Sequence, residues 1–243
     1  MPLGNIILMG AMTFAAAGIR GVTGFGMAIV LVPLLTLVVR PDEAVVVAIL
    51  LQFLIGPVGL KAILADSEQP SSLIIAGSAM LATPLGLWLL ARISPDLARI
   101  LIAGIAISAF LLVLIPKQGT KPLHLFYTIA TGLAAGVLTG FAGMPGPPVV
   151  PYYLRHGVSP HQARASMMLV FFATAIAGTL AAFVSGLATT KLVMVTFALL
   201  PPMLAGNWLG ARAFGKMDPV LWRIGVSILL GGAALSAVWR SLT

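Results

Sequence analysis

The chain has 243 residues, of which 60% are hydrophobic and 8% are charged, and its net charge is +8. Soluble domains carry about 25% charged residues, so the composition excludes a water-exposed globular domain and predicts an integral membrane protein. The basic residues stand singly at the ends of apolar stretches and form no stripe, which argues against nucleic acid as a partner. Cysteine is absent, which excludes disulfides, thiol catalysis and cysteine metal sites.

Eight apolar stretches follow one another along the chain with short connections between them. Most match the ~20 residues that a helix needs to cross a ~30 Å hydrocarbon core. They lack the alternating pattern of membrane barrel strands, so they predict an all-α multi-pass bundle. The stretches are 3–39, 43–64, 71–92, 97–115, 122–154, 162–184, 191–213 and 219–239.

The first and fifth stretches are too long for one straight helix, and each contains a glycine- or proline-rich break, at 21–26 and at 140–148. Irregular backbone in lipid leaves N–H and C=O groups without partners, so it persists only where protein or a water-filled cavity surrounds it. The half-helix after such a break presents free N–H groups and the positive end of its dipole. The two breaks therefore favour an anion site over the alternative interpretation, close helix packing through small residues.

Motifs recur in the same order in the two halves of the chain, which predicts two four-segment repeats, 1–118 and 119–243. Paired breaks are typical of secondary transporters, whose substrate sites lie at the repeat interface. The Lys and Arg counts leave parallel and inverted repeats open; we favour inverted repeats, because they bring both breaks to one site. The matches are Thr23-Gly24-Phe25-Gly26 with Thr139-Gly140-Phe141-Ala142, Pro41 and Ala44 with Pro160 and Ala163, and Gly86-x-Trp88-x-x-x-Arg92 with Gly206-x-Trp208-x-x-x-Arg212.

Charged side chains near the middle of the membrane indicate the sign of the substrate. Arg20 directly precedes the first break, and its planar guanidinium suits the oxygens of sulfite, sulfate, a sulfonate or a carboxylate. An equally weighted alternative is that Arg20 ends a short helix and extends to the membrane surface. No carboxylate stands at the centre of a stretch, where cation- and proton-coupled pumps usually place one. The acids, all at or near stretch ends, are Asp42, Glu43, Asp66, Glu68, Asp96 and Asp218.

The remaining candidates for substrate binding are polar or glycine residues close to the breaks. Gln52 is central in the second stretch, where a ligand contact and a helix–helix hydrogen bond are equally expected. Thr23 and Thr139 either donate hydroxyls or cap half-helices. No metal-ligand spacing, nucleotide loop or catalytic triad occurs, so we expect no cofactor, no metal and no enzyme activity. The full candidate set is Arg20, Thr23, Gly24, Phe25, Gly26, Gln52, Thr139, Gly140, Phe141, Gly143, Gly146 and Asn207.

The segments "TGFG…VPLL" at 23–35 and "TGFAGMPGPPVVPYYL" at 139–154 carry a family likeness. With the Pro41–Ala44 and Pro160–Ala163 segments, they make the chain resemble the sulfite exporter TauE/SafE family of bacterial membrane permeases. The resemblance covers essentially the whole chain. It implies about eight membrane segments in two repeats, and export or import of organic or inorganic sulfur-containing anions across a bacterial inner membrane.

The expected function is therefore a secondary transporter, or permease, for small organic or sulfur-containing anions, with the lipid bilayer and the anion as partners. An anion channel is the nearest alternative. A membrane enzyme or assembly factor would need a titratable cluster, for which the chain offers only His156, His161 and Arg164. The sequence leaves open which anion is carried, the direction, the coupling ion and the oligomeric state, a homo-oligomer included.

Overall fold

The structure is a computed structural model that describes residues 2–114, 124–155 and 157–213. In these ranges every regular element is a helix. The last predicted stretch, 219–239, and the boundary between the predicted repeats lie outside the described residues. The helices are α1 (Leu3–Thr23), α2 (Met27–Leu35), α3 (Pro41–Ile55), α4 (Leu60–Asp66), α5 (Gln69–Leu90), α6 (Pro95–Leu114), α7 (Leu125–Ala142), α8 (Gly146–Arg155), α9 (Pro160–Val184) and α10 (Thr190–Ala213).

Five of the described helices, α1, α5, α7, α9 and α10, are long and apolar enough to cross a membrane. Helices α3 and α4 form a sixth candidate span that is bent by 84° at the break between them. Large apolar side chains such as Leu81, Leu180 and Val184 point outward and are well exposed. A bundle with such a surface needs lipid around it. The expectation of an all-α multi-pass membrane protein is confirmed.

Both predicted breaks are present, and each is only three residues long. Gly24 caps the end of α1 and Gly143 caps the end of α7, with φ of 81° and 69°. This left-handed conformation favours glycine because it has no Cβ atom. The breaks are narrower than expected, since Gly21 and Gly140 still lie inside helices and Pro147 and Pro148 lie in α8. Proline suits the first turn of a helix, where the N–H has no intrahelical acceptor.

Hydrogen bonds between helix termini define two ends of the bundle. At the upper end, Glu68 N–H, just before α5, donates to Ser166 Oγ near the start of α9 over 2.8 Å. At the lower end, Lys191 Nζ at the start of α10 lies 3.3 Å from Glu43 Oε1 at the start of α3. Helix α1 ends at the upper end, where Arg164 of α9 reaches Gly21.

The breaks therefore turn α1–α2 and α7–α8 into two hairpins, which we call hairpin 1 and hairpin 2. Helix α1 rises to the upper end and α2 returns towards the lower end, where Arg99 at the start of α6 donates to Thr36 O over 3.3 Å. Helix α7 starts at the upper end, and α8 returns there, since Thr128 Oγ1 lies 2.7 Å from Tyr152 OH. The two hairpins run in opposite directions.

Each hairpin packs its first helix against a helix from the other half of the chain. Helix α1 lies parallel to α10 and α7 lies parallel to α5, and these are the two most extensive helix contacts. Glycines bring the backbones together: a Cβ atom at Gly140 would collide with Thr83 O, and one at Gly210 would collide with Gly18 O. Small residues at membrane helix contacts allow such close approach. Gly140 of α7 is thus a packing residue that allows close contact with α5.

Candidate anion site between the two breaks

A narrow cavity lies between the two breaks. Its volume, measured for the centre of a water-sized sphere, is about 30 Å³, which holds one or two water molecules. Hairpin 1 contributes Arg20 and 25–29, hairpin 2 contributes 144–146, and the end of α3 and one face of α9 complete the wall. Five predicted residues line it: Arg20, Phe25, Gly26, Gln52 and Gly146.

Arg20 provides the positive charge of this cavity. It lies in the last turn of α1 and is only partly buried, and its Nη1 donates to Asn207 Oδ1 of α10 over 2.8 Å. Asn207 is neutral, so this bond orients the guanidinium without neutralising it. Within the described residues no carboxylate comes within 4.0 Å of Arg20. An arginine in this position has capacity left for an anion.

Hairpin 1 also provides amide donors. Residues 27–29 are the first three of α2 and line the cavity. Their N–H groups precede the first intrahelical hydrogen bond, which Val30 N–H donates to Gly26 O over 3.3 Å. The positive end of the α2 dipole adds to the charge of Arg20 at the same place.

Hairpin 2 is poor in donors at the equivalent place. Three of the four residues at 145–148 are prolines, which have no N–H, so Gly146 alone offers an amide there. The residue four positions before the left-handed glycine is Thr139, where hairpin 1 has Arg20. The Thr139 hydroxyl donates to Ala135 O within its own helix over 2.7 Å. The two breaks thus face one cavity with unequal chemistry.

Several predicted residues lie around the cavity without lining it. We call the three residues between α1 and α2 break 1 and the three between α7 and α8 break 2. Thr23 Oγ1 accepts from Phe25 N–H over 3.2 Å and lies against Ile19 O and Phe25 O, so it closes the turn of break 1. Gly24 packs against Arg164, and Phe141 packs against the apolar core. Asn207 holds Arg20. The predicted residues outside the lining are Thr23, Gly24, Thr139, Gly140, Phe141, Gly143 and Asn207.

Gln52 lines the cavity, but its amide protons have other acceptors. Its Nε2 donates to Ala48 O over 3.2 Å and to Gly143 O over 3.0 Å. The second bond ties α3 to the glycine that ends α7. Gln52 therefore makes a hydrogen bond between helical segments, which was one of its two expected roles. This bond to Gly143 O fixes the position of break 2.

Sequence reasoning missed the wall that α9 contributes. Met168, Phe171 and Phe172 line the cavity, and Phe172 stacks on Phe53 with ring centroids 6.4 Å apart. Apolar residues in a membrane helix look alike whether they face lipid or a cavity. The one available signal is Arg164, which stands four residues before Met168 on the same helical face.

The groups considered for an enzyme lie apart in separate contacts. His161 Nε2 lies 3.7 Å from Asp66 Oδ2 at the exposed upper end, and Arg164 donates to a backbone carbonyl. His156 lies outside the described residues. Within them, no group of three or more His, Cys, Asp or Glu is arranged to hold a metal ion.

A comparison with protein families decides the class of protein. The family model described as sulfite exporter TauE/SafE matches residues 9–237. The chain belongs to the TauE/SafE family. This family consists of membrane permeases, in agreement with the apolar helices of the structure. No curated protein and no solved structure matches the chain.

Proposed function

We propose that this TauE/SafE protein is a secondary transporter for small organic or sulfur-containing anions, such as sulfite or sulfonates, in a bacterial inner membrane. One observation carries the proposal. Arg20 faces a cavity between two helix breaks and is held there by the neutral Asn207, with no carboxylate nearby in the described residues. A cation inside a membrane protein is costly unless an anion compensates it, and a substrate anion does so during transport.

The donors at break 1 favour an oxyanion. A guanidinium presents N–H groups in a planar fork, and residues 27–29 present amides close by. Sulfite, sulfonates and carboxylates all offer two or three oxygens to such a set. The apolar wall of Met27, Met144, Met168 and Phe171 excludes water from the anion and strengthens these bonds.

We infer that residues 1–118 and 119–243 are inverted repeats that rock against each other. Three features support this inference: the hairpins run in opposite directions, α1 packs on α10 as α7 packs on α5, and the cavity lies between the hairpins. The cavity holds only one or two water molecules, so passage of a larger organic anion such as a sulfonate requires helix movement. Alternating access by one repeat moving against the other supplies such movement.

Single cysteines test the inverted arrangement, since the natural chain has none. We expect Ala65→Cys at the upper end and Ser185→Cys at the lower end to react with a membrane-impermeant thiol reagent from opposite sides of the membrane. Labelling of both from the same side would rule out inverted repeats.

Transport itself is tested with purified protein in liposomes. Vesicles preloaded with unlabelled sulfite should accumulate ³⁵S-sulfite above its outside concentration by counterflow, and short sulfonates and carboxylates on the outside should compete. A channel equilibrates the label without transient accumulation, so simple equilibration would favour the channel instead. Arg212→Gln is the control variant, because Arg212 stacks on Trp208 at 3.6 Å, away from the cavity. Absence of any anion flux would contradict the proposal.

A further inference from the structure

A second arginine lies on the face of α9 that lines the cavity. Met168, Phe171 and Phe172 line it, and Arg164 lies one helical turn before Met168, towards the upper end. Residues spaced by four, seven and eight positions share one side of a helix. Arg164 therefore continues the cavity wall in the direction of the upper membrane surface.

Arg164 is held against break 1. Its Nη2 donates to Gly21 O in the last turn of α1 over 3.1 Å, and its side chain is partly buried. Its aliphatic part crosses Gly24 so closely that a Cβ atom there would lie 2.8 Å from Nε and 3.0 Å from Cδ. The last turn of α1 thus carries Arg20 on the cavity side and receives Arg164 from α9. Both guanidiniums therefore lie at the same helix break.

The other hairpin has no equivalent cation. The match of Pro41 and Ala44 with Pro160 and Ala163 makes Val45 the counterpart of Arg164. Val45 is fully buried, and its carbonyl lies close to Gly143, the glycine of break 2. Each of the two residues abuts the left-handed glycine of a break, but only the upper one is charged.

We propose that Arg164 lies on the path by which the anion travels between the upper membrane surface and Arg20, and that it attracts the anion into the cavity. The proposal rests on the proposed function and adds a residue to it. A positive charge at the mouth of a low-dielectric cleft raises the local concentration of anions and their rate of association. Such attraction needs the charge alone, whereas Arg20 needs the geometry of the guanidinium. The electrostatic attraction of the anion by Arg164 also weakens as the salt concentration rises, because salt screens the charges.

The test is ³⁵S-sulfite uptake into liposomes by the wild type and by Arg164→Gln, Arg164→Met and Arg164→Lys, at low and at high ionic strength. Arg164→Met keeps the aliphatic packing on Gly24 if Arg164→Gln folds poorly. We expect the uncharged variants to raise the KM for sulfite about tenfold at low ionic strength, with Vmax within about twofold of wild type. The difference should shrink at high ionic strength, and Arg164→Lys should stay close to wild type. Arg212→Gln is again the control.

A purely structural role gives a different pattern. An Arg164 that only closes the end of α1 would, when replaced, lower Vmax and the melting temperature, with no dependence of the KM ratio on salt. That pattern, or an unchanged KM, would overturn the proposal while leaving the transporter intact. Failure of the wild type to move any anion would overturn the proposed function, and the role of Arg164 with it.

Discussion

The two hairpins have the same backbone plan and different chemistry. Each has a long helix that ends at a left-handed glycine, Gly24 or Gly143, whose N–H donates to the carbonyl four residues earlier over 2.7 Å. That earlier residue is Arg20 in hairpin 1 and Thr139 in hairpin 2. Three cavity-lining positions that carry amides follow in α2, while prolines occupy most of the same region before and in α8.

The difference separates what the fold requires from what the anion requires. Both breaks need glycine at the helix end and small residues along the seam with the other half, since these features create the cavity. The positive charge occurs at the first break only, and the second break offers a single amide, that of Gly146, where the first offers three. Hairpin 1 is therefore the binding side in our account, and hairpin 2 is the wall that closes against it, positioned by Gln52 through Gly143 O.

The largest difference between the hairpins should appear when Arg20 and Thr139, the residues four positions before each left-handed glycine, are replaced. Arg20→Gln should weaken sulfite binding about 10- to 100-fold, because a hydrogen bond to a charged group is worth about 1.5–3 kcal/mol. Arg20→Lys should recover only part of this, since an ammonium lacks the planar fork. Thr139→Val should leave affinity almost unchanged, because its hydroxyl serves Ala135 O. Affinity is measured by sulfite-dependent thermal stabilisation of detergent-purified protein.

Equal losses for Arg20→Gln and Thr139→Val would show that both breaks bind the anion alike. Full rescue by Arg20→Lys, with altered membrane insertion in Arg20→Gln, would make Arg20 a surface anchor instead.

The two close helix contacts, α7 on α5 and α1 on α10, which we call the seams, should be destabilised alike when a glycine in them is enlarged. Gly86→Ala in α5 and Gly210→Ala in α10 should each destabilise the protein by about 1–3 kcal/mol, because a methyl group collides with Val137 O or Gly18 O. Gly77→Ala is the matched control within α5. It has no atom within 4 Å of the added Cβ, and alanine is the better helix former. Melting temperatures in detergent measure the three variants. A loss in only one of the two seams would break the symmetry of the packing.

The smallest effect should come from the left-handed glycine of hairpin 2. Gly143→Ala should cost about 1–2 kcal/mol for the backbone conformation, and the control variant Gly59→Ala, at a φ of 77° in open space, should cost about the same. The added methyl makes one tight contact, with the Val32 side chain at 3.3 Å, and its other neighbours lie at ordinary contact distance. Gly24→Ala should cost more and also raise the KM for sulfite, because Arg164 must move. Equal melting temperatures and equal KM values for Gly24→Ala and Gly143→Ala would place Arg164 away from the path.

Local signals in the sequence predicted the helical membrane fold and the two breaks. Glycine and proline clusters interrupt otherwise apolar stretches, and their backbone preferences act over a few residues. The register of the second break was harder to predict. Gly140 matches Gly24 in sequence, yet Gly143 has the equivalent position, since the helix continues until a residue adopts the left-handed conformation. The bend between α3 and α4 has a signal of the same kind, in Gly56, Pro57 and Gly59.

The composition of the cavity wall depends on tertiary structure. Arg20 and Asn207 are 187 residues apart, and only the packing of α1 on α10 brings them together. The hydrogen bonds that occupy the Gln52 amide, and the position of Arg164 against Gly24, also depend on packing between helices that are distant in sequence. Hydrophobicity alone does not distinguish the cavity-lining Phe171 from the exposed Phe183 of the same helix.

Direct location of a bound anion tests the central claim. Selenite is an oxyanion of the same shape class as sulfite, and its selenium atom can be located in crystals of the protein by anomalous scattering. We expect one site between the breaks, with selenite oxygens within hydrogen-bonding distance of the Arg20 guanidinium and of amides at 27–29, and loss of this site in Arg20→Gln. Selenite bound beside 145–148, or at the helix ends and not between the breaks, would contradict it.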